Sequence, residues 1–398
     1  MTVASSTYPL MRELAMKEIS ADKRCTGCNL CVHICPKGAI ELHVNSEGFW
    51  YPKVKSECVH CGLCTRSCPV YGGKPQGFCD PKSYAAWAEN DDIHLHSSSG
   101  GIFTLLAVRV LAFGGIVFGA TYDAEFHVKH IRIEKPDELE RLRGSKYVHS
   151  YIGSEIYDDL AADVKSGRKV LFSGTPCQTA AVNKCYGEYD NLLTVDVVCH
   201  GVPSPKAWNS YLKDVGKNCG IQSLNMRVKE PYGWNKYHMI VILNDGRIKD
   251  AWFNDNPWGK SFVQSLFLRQ SCYNCEFKEH IRCSDISLGD FWEAARGTHR
   301  ELDDEDKGTS VVLVNSEKGA RAFNGISCFK QEIPYEWIPE RTYAVVRSSK
   351  YNENRDRAFA KLDSVSFNEV VHTYCDPSLK NRAVNKVKNI GRKLPSKE

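Results

Sequence analysis

Long apolar runs, dense basic stripes and any repeat outside one short region are all missing from this chain. Each absence removes a class of function. The most apolar stretch, Ile102 to Ala120, is interrupted by Arg109 and split by Gly114-Gly115, so it reads as a helix followed by a buried strand and not as a membrane span. Met1 to Met16 mixes polar residues with Arg12 and Glu13 and has no apolar core, so it does not look like a secretion signal. A formal net charge of +4 spread over 398 residues leaves too little clustered positive charge to expect a nucleic-acid partner. What the chain has in excess is cysteine, eighteen in all. With no sign of export, so many thiols point to a reducing, cytoplasmic setting and to use as metal ligands.

Eight of the cysteines form one pattern twice. Cys25, Cys28, Cys31 and Cys35-Pro36 repeat as Cys58, Cys61, Cys64 and Cys68-Pro69, each reading C-x2-C-x2-C-x3-C-P. This is the bacterial ferredoxin run that holds a 4Fe-4S cubane in thiolates. Three closely spaced cysteines wrap one face of a cube, and the fourth, followed by a helix-breaking proline, crosses to the other cluster. Cluster I therefore takes Cys25, Cys28, Cys31 and Cys68, and cluster II takes Cys58, Cys61, Cys64 and Cys35. Zinc sites ordinarily use two close pairs, without a proline after each set of four, and a disulfide scaffold needs export. The pattern speaks for electron transfer without saying to what.

Between the two runs, Glu41 to Tyr51 reads as a hairpin turning at Asn45 to Gly48. Its Phe49, Trp50 and Tyr51 read as a cover that keeps water from a cluster or, as expected here, as the core of a very small domain. The Gly/Pro-rich stretch Tyr71 to Gly77 reads as a linker. From Ser83 onward strands and helices alternate: strands at 84–89, 115–121, 126–133, 169–172, 191–198 and 310–315, and helices at 99–112, 152–166, 205–214 and 317–323. Residues 237–243 and 247–253 flank Asn244-Asp245-Gly246 as an antiparallel hairpin. The fold class expected is α+β and α/β, a bacterial-type ferredoxin domain followed by a larger α/β domain with a central sheet.

Two further places concentrate chemistry. Ser97-Ser98-Ser99-Gly100-Gly101 opens a helix, where free backbone N–H groups make a phosphate seat, or where a serine simply caps the helix. The strand Val170 to Phe172 ends in Ser173-Gly174-Thr175-Pro176-Cys177-Gln178, and the next strand ends in Cys199-His200-Gly201-Val202-Pro203-Ser204. Ligands of open α/β sheets bind beyond such carboxyl ends, so Cys177 and Cys199 are well placed to face one. Cys272-Tyr273-Asn274-Cys275 adds a close pair, which by itself is equally a redox dithiol or a zinc knuckle completed by His280 or Cys283.

These motifs, with Arg143-Gly144-Ser145-Lys146-Tyr147 and Ser284-Asp285 to Asp290-Phe291-Trp292, resemble in type and order the beta-subunit family of coenzyme F420 hydrogenases and dehydrogenases. The resemblance spans Ser83 to about Arg347. It implies an FAD-bearing α/β domain with a 4Fe-4S cluster beside the flavin, ligated by Cys177, Cys199, Cys272 and Cys275. It implies flavin contacts from Ser99, Gly100 and Gly101 and from Gly144, Ser145, Lys146 and Tyr147. The corresponding division is 1–80 for the two-cluster ferredoxin domain and 81–376 for the flavin and cluster domain, with halves at about 83–168 and 169–347. A basic tail follows at 377–398.

The function expected is an oxidoreductase passing electrons between ferredoxin-type clusters and a two-electron organic substrate at FAD, coenzyme F420-like or another conjugated acceptor. The alternative is an electron-relay subunit of a larger redox complex. Either reading expects a redox partner protein or ferredoxin. No general acid or base stands out; His200 is nearest, with support of the cluster as its expected role. Cys79, Cys185, Cys219, Cys283, Cys328 and Cys375 read as small core residues. Arg227, Lys229, Lys236, Lys260, Arg269 and Arg282 read as attraction for an acidic coenzyme or an acidic ferredoxin or, for most of them, as scattered surface charge, Asp303 to Asp306 as a solvated loop, and the tail's seven Lys/Arg residues as a frayed terminus or a peripheral contact for an anionic surface.

Overall fold

The computed structural model describes residues 23–75 and 81–376, so residues 1–22, Cys79 and the basic tail lie outside the described residues. In 23–75 the cysteine spacing leaves no room for long elements. The chain turns back through left-handed residues, Gly27 and Gly62 at φ 69° and Asn29 at 64°. Only single helical turns, α1 (Leu30–His33) and α2 (Leu63–Ser67), fit between them. Strands β1 (Ile40–Val44) and β2 (Trp50–Val54) pair antiparallel, Ile40 opposite Val54 and Val44 opposite Trp50. Asn45 Oδ1 closes their turn by accepting from Glu47 N at 3.2 Å and Phe49 N at 2.9 Å.

The remainder is built on β3 (Lys82–Trp87), β4 (Ile116–Tyr122), β5 (Val128–Ile133), β6 (Val170–Gly174), β7 (Leu192–Val197), β8 (Ile221–Val228), β9 (His238–Leu243), β10 (Ile248–Trp252), β11 (Ile286–Asp290), β12 (Ser310–Val314) and β13 (Phe329–Ile333). Eight of these form one mixed sheet in the order β13-β3-β12-β11-β7-β6-β4-β5. The inner four, β11, β7, β6 and β4, run parallel, and the outer pairs are antiparallel. Central strands are largely apolar because helices cover both faces, and successive side chains take opposite sides. Leu171 of β6 packs on one face with Leu106 and Val110 of α3 (Ile102–Ala112). Its neighbours Val170 and Phe172 pack on the other with Leu160 of α4 (Ser154–Lys165) and Val182 of α5 (Pro176–Tyr186).

A second sheet, β10-β9-β8, continues the body. Strand β9 alternates half-buried and buried residues, the pattern of a sheet with one face on a core. That core joins Trp208 and Tyr211 of α6 (Pro205–Val215) to Trp258 and to Phe367 of the closing helix α7 (Phe367–Cys375). Phe49 and Tyr51 belong to this same core, beside Val148 and Trp208. The hairpin aromatics are therefore not the core of a separate small domain. A two-stranded hairpin is too small to bury its own aromatic face, so they wedge into the body.

Candidate functional site

The cysteines of 23–75 fall into two sets in space. Cys35, Cys58, Cys61 and Cys64 line one cavity of about 20 Å³, and Ala39 N–H donates to Cys35 Sγ at 3.3 Å. Cys61 is exposed, so this set faces outward. Cys25, Cys28, Cys31 and Cys68 form the other, inner set. Burial, then Cys68, pushes the Cys28 thiol up to about 12, and burial followed by Cys28, Cys25 and Cys68 pushes Cys31 well up. The fully buried Tyr157 of α4 donates its hydroxyl to Cys28 O at 2.8 Å, and Asn29 Nδ2 donates to Ile152 O at 3.0 Å, so the inner set is held against the body.

A third set of four sits at the carboxyl edge of the large sheet. Gly174 of β6 is paired with Asp196 of β7, and Cys177 and Cys199 each follow three residues later, so register alone delivers both thiols to one edge. Cys177 occupies the second position of α5. Thr175-Pro176-Cys177-Gln178 is a capping box with proline at the first helical position, and Thr175 N–H donates to Gln178 Oε1 at 2.9 Å. Thr175 Oγ1 lies 3.2 Å from Cys177 Sγ. Gly201 (φ 153°) allows the Cys199 loop to lie on its neighbours, since a Cβ there would stand 2.7 Å from Leu268 and 3.2 Å from Cys272 Cβ. Val202 N–H donates to Cys272 Sγ at 3.4 Å, and Cys275 N–H to Ser348 Oγ at 2.9 Å.

All four line one cavity of about 30 Å³, whose wall also contains Arg24, Thr26 and Val70 from the first segment. Val70, Ala180 and Phe277 pack with Cys68 of the inner set and with Cys177 and Cys275, so the two sets share a wall. Burial pushes the Cys199 thiol up to about 12 and Cys272 up to about 11. A metal group that binds thiolates would displace these protons to solvent.

A single tetrahedral zinc needs sulfurs about 3.8 Å apart. Among the described residues no three His, Cys, Asp or Glu side chains are gathered closely enough to hold one ion. The outer and the third set each line a small cavity. The other candidates near the third set turn away: Cys283 Sγ approaches Pro75 O at 3.6 Å, and the His280 ring packs on Tyr335 at 4.0 Å.

The two polar loops read for the flavin meet. Ser145 N–H and its hydroxyl both contact Ser98 Oγ at 2.9 Å. No serine caps α3, whose N-cap is Gly101 at φ 82°. The serines serve other contacts: Ser97 Oγ donates to Ile93 O at 2.6 Å and Ser99 Oγ to Thr309 O at 3.0 Å, while Gly100 N–H donates to Ser310 Oγ at 2.9 Å. Gly144 is open, with nothing within 4 Å of where a Cβ would stand, and Lys146 Nζ donates to Arg143 O at 2.7 Å. Tyr147 stacks on Phe262 at 4.6 Å and its hydroxyl accepts from Arg227 Nη1 at 3.2 Å.

The reading of scattered surface charge is corrected here. Arg227, Lys229, Arg269 and Arg282 are buried, while Lys236 is exposed and Lys260 half-buried against Asp376. Arg227 pairs with Asp290 at 2.7 Å, and Lys229 Nζ donates to Ser99 O at 3.0 Å. Burial pushes Lys229 down to about 7, against carbonyl acceptors His94 O, Ser99 O and Lys307 O that the ammonium form alone satisfies together. Trp234 stacks on Trp292 at 4.7 Å beside them. The Nε atoms of Arg143 and Arg227 are buried without a hydrogen-bond partner. A cationic, aromatic-walled donor set of this kind fits an anionic ring-bearing group. The acidic loop is not solvated either: Asp304 pairs with His94 at 2.7 Å and Asp306 Oδ1 accepts from Asn235 N at 2.8 Å. Charge in the sequence carries no mark of these partners, which lie far along the chain.

A ferredoxin-type module docked on an α/β body, with four cysteines beyond the sheet's carboxyl edge, defines an iron–sulfur redox protein. The chain belongs to the coenzyme F420 hydrogenase/dehydrogenase beta-subunit family: residues 83–155 match the family's N-terminal model and 167–331 its C-terminal model, and 24–71 match a 4Fe-4S dicluster domain. Over 57 residues it is 30% identical to an uncharacterized ferredoxin of Methanocaldococcus jannaschii, covering 14% of this chain and 74% of that protein. A chain of the F420-reducing nickel-iron hydrogenase complex from Methanosarcina barkeri, in a xenon-derivatized structure, is similar at a TM-score of 0.44 and 18% identity, over 80% of this chain and 94% of that one. Among the described residues no helix is long and apolar enough to cross a membrane.

Proposed function

We propose that this chain is an FAD-dependent iron–sulfur oxidoreductase that moves electrons between a one-electron protein carrier and a two-electron organic substrate, coenzyme F420-like or another conjugated acceptor. Cys58, Cys61, Cys64 and Cys35 hold the outer 4Fe-4S cluster, Cys25, Cys28, Cys31 and Cys68 the inner one, and Cys177, Cys199, Cys272 and Cys275 a third. The domains divide at 1–80, 81–376 and 377–398. The observation that carries this reading is the shared wall: Val70 and the Cys68 segment pack directly against the cavity of the third set.

In this reading the exposed Cys61 side is where a redox partner protein or ferredoxin meets the chain. Thr175 Oγ1 and the N–H groups of Ala39 and Val202 point donors at sulfur, the means by which a protein sets cluster potential. FAD, when bound, supplies the exchange between hydride and single-electron chemistry. Gly144, Ser145, Lys146 and Tyr147, with Ser99, Gly100 and Gly101, hold it. His200, whose Nε2 meets Ser265 Oγ at 2.9 Å, supports the Cys199 loop.

Anaerobic reconstitution tests the assignment: three cubanes predict about twelve iron and about twelve sulfide per chain, with one flavin. Cys272→Ala should lose about a third of the iron and leave the rest. Eight iron in the wild type, unchanged by the substitution, would remove the third cluster. The relay reading, without substrate or flavin, is favoured by one observation, that the Ser97 to Gly100 donors are engaged within the protein. Full iron without flavin would establish it.

A further inference from the structure

Four arginines of the body are buried, Arg227, Arg269, Arg282 and Arg355, and three of them face a carboxylate: Asp290, Asp196 and Glu47. Arg269 does not. It is fully buried at 0% exposure. Its Nε donates to Cys25 O at 2.7 Å, its Nη2 to Trp50 O at 3.0 Å and to Cys25 Sγ at 3.5 Å. The guanidinium lies over the rings of Tyr51 at 4.1 Å and Phe49 at 5.3 Å. Nη1 has no hydrogen-bond partner and stands 3.0 Å from where a Cβ on Gly27 would be, inside the Cys25 to Cys28 loop. Arg269 O also accepts from Cys272 N at 3.0 Å, so the same residue anchors the loop of the third set.

A buried cation without a counter-charge is strongly disfavoured. The anion on this side of Arg269 is the inner set of thiolates and whatever they hold. We infer that Arg269 is a positioning residue for the inner cluster: its fixed positive charge stabilises the reduced, more negative state and makes the inner cluster easier to reduce. The carbonyl contacts to Cys25 and Trp50 fix the distance at which it acts. This rests on the reading that Cys25, Cys28, Cys31 and Cys68 hold a 4Fe-4S cluster. A wild-type chain that takes up no iron is the failure of that reading, whereas the inference fails only with the clusters loaded.

The test is a potentiometric EPR titration of the anaerobic holoprotein, with iron and sulfide counted on each sample. The neutral R269Q keeps hydrogen-bond donors, and R269K keeps the charge. A charge at this range, in an effective dielectric of about 20, alters the reduction equilibrium by more than tenfold. In R269Q one transition should therefore fall by at least tenfold in electron affinity, 59 mV for a one-electron couple. The transition of the outer cluster, whose cavity wall lacks Arg269, should stay in place. R269K should remain within about threefold of wild type. Unchanged transitions in a fully loaded R269Q, or equal shifts in R269Q and R269K, overturn the inference. If R269Q fails to load, R269K decides: a tenfold shift there overturns it, and a transition near the wild-type position sustains it.

Discussion

Removing Glu47 should loosen the ferredoxin hairpin from the body more than removing its partner Arg355, although both changes delete the same ion pair. Arg355 is fully buried and bidentate to Glu47, with Nη1–Oε1 at 2.6 Å and Nη2–Oε2 at 2.5 Å. Its Nε donates to Leu268 O at 3.1 Å and its guanidinium lies over Phe359 at 4.7 Å. In Glu47→Ala the guanidinium stays buried, with only the Asp356 carboxylate, 73% exposed, at 3.1 Å. Breaking a buried pair from one side costs about 3–5 kcal/mol, and the remaining Asp356 and the 21% exposure of Glu47 bring the figure to about 2–3 kcal/mol. Arg355→Met keeps apolar packing on Phe359 and leaves a carboxylate that can turn toward water, so about 1 kcal/mol is expected. The double variant should cost less than Glu47→Ala alone. Anaerobic urea unfolding gives the free energies, and amide exchange over 40–54 shows whether the hairpin opens locally. An Arg355→Met variant as costly as Glu47→Ala, or hairpin exchange unmoved by Glu47→Ala, would refute the reasoning.

Gly100→Ala places a Cβ 2.4 Å from Ala86 O and 2.9 Å from Ser310 Oγ, so α3 must shift off β3. A loss of about 1–3 kcal/mol in thermal or urea unfolding is expected, with reduced flavin retention. Burial pushes the His130 imidazole down to about 4, with its Nδ1 at 2.7 Å from Ser150 Oγ and its Nε2 at 3.0 Å from Ser173 O. The unfolded chain takes up that proton near pH 6.5, so the contribution is complete above 6.5 and is lost as pH falls toward 4. Between pH 6.5 and 5 this amounts to about 2 kcal/mol. His130→Gln should flatten the stability profile by that amount and leave the part due to His149 and His200, which burial also lowers.

Much of the secondary structure is readable because its signals are local. Short apolar runs mark β4, β6 and β7, and Asn244-Asp245-Gly246 marks the β9–β10 turn, where Gly246 has φ 83°. Helix α5 is absent from the sequence reading, although Thr175, Pro176 and Gln178 together spell a helix start. Strands β8 and β13 lack clean alternation and become strands through their neighbours. The last helices, Arg355–Lys361 and α7, go unassigned for a similar reason: their apolar residues match a core that the hairpin and α6 complete.

Cysteine spacing by itself determined the doubled cluster-binding pattern, because a cubane takes three ligands from one tight loop and a local pattern therefore carries the whole requirement. Only the tertiary structure decided which charges are buried, since Arg282 meets Asp196 across 86 residues and Arg227 meets Asp290 across 63. It decided too that Cys177 and Cys199 stand side by side, through the register of β6 on β7. And it left Arg269 with a thiol, two carbonyls and two rings for company. Long-range pairing is fixed by how layers pack, and a residue's own neighbours in the chain say nothing of it.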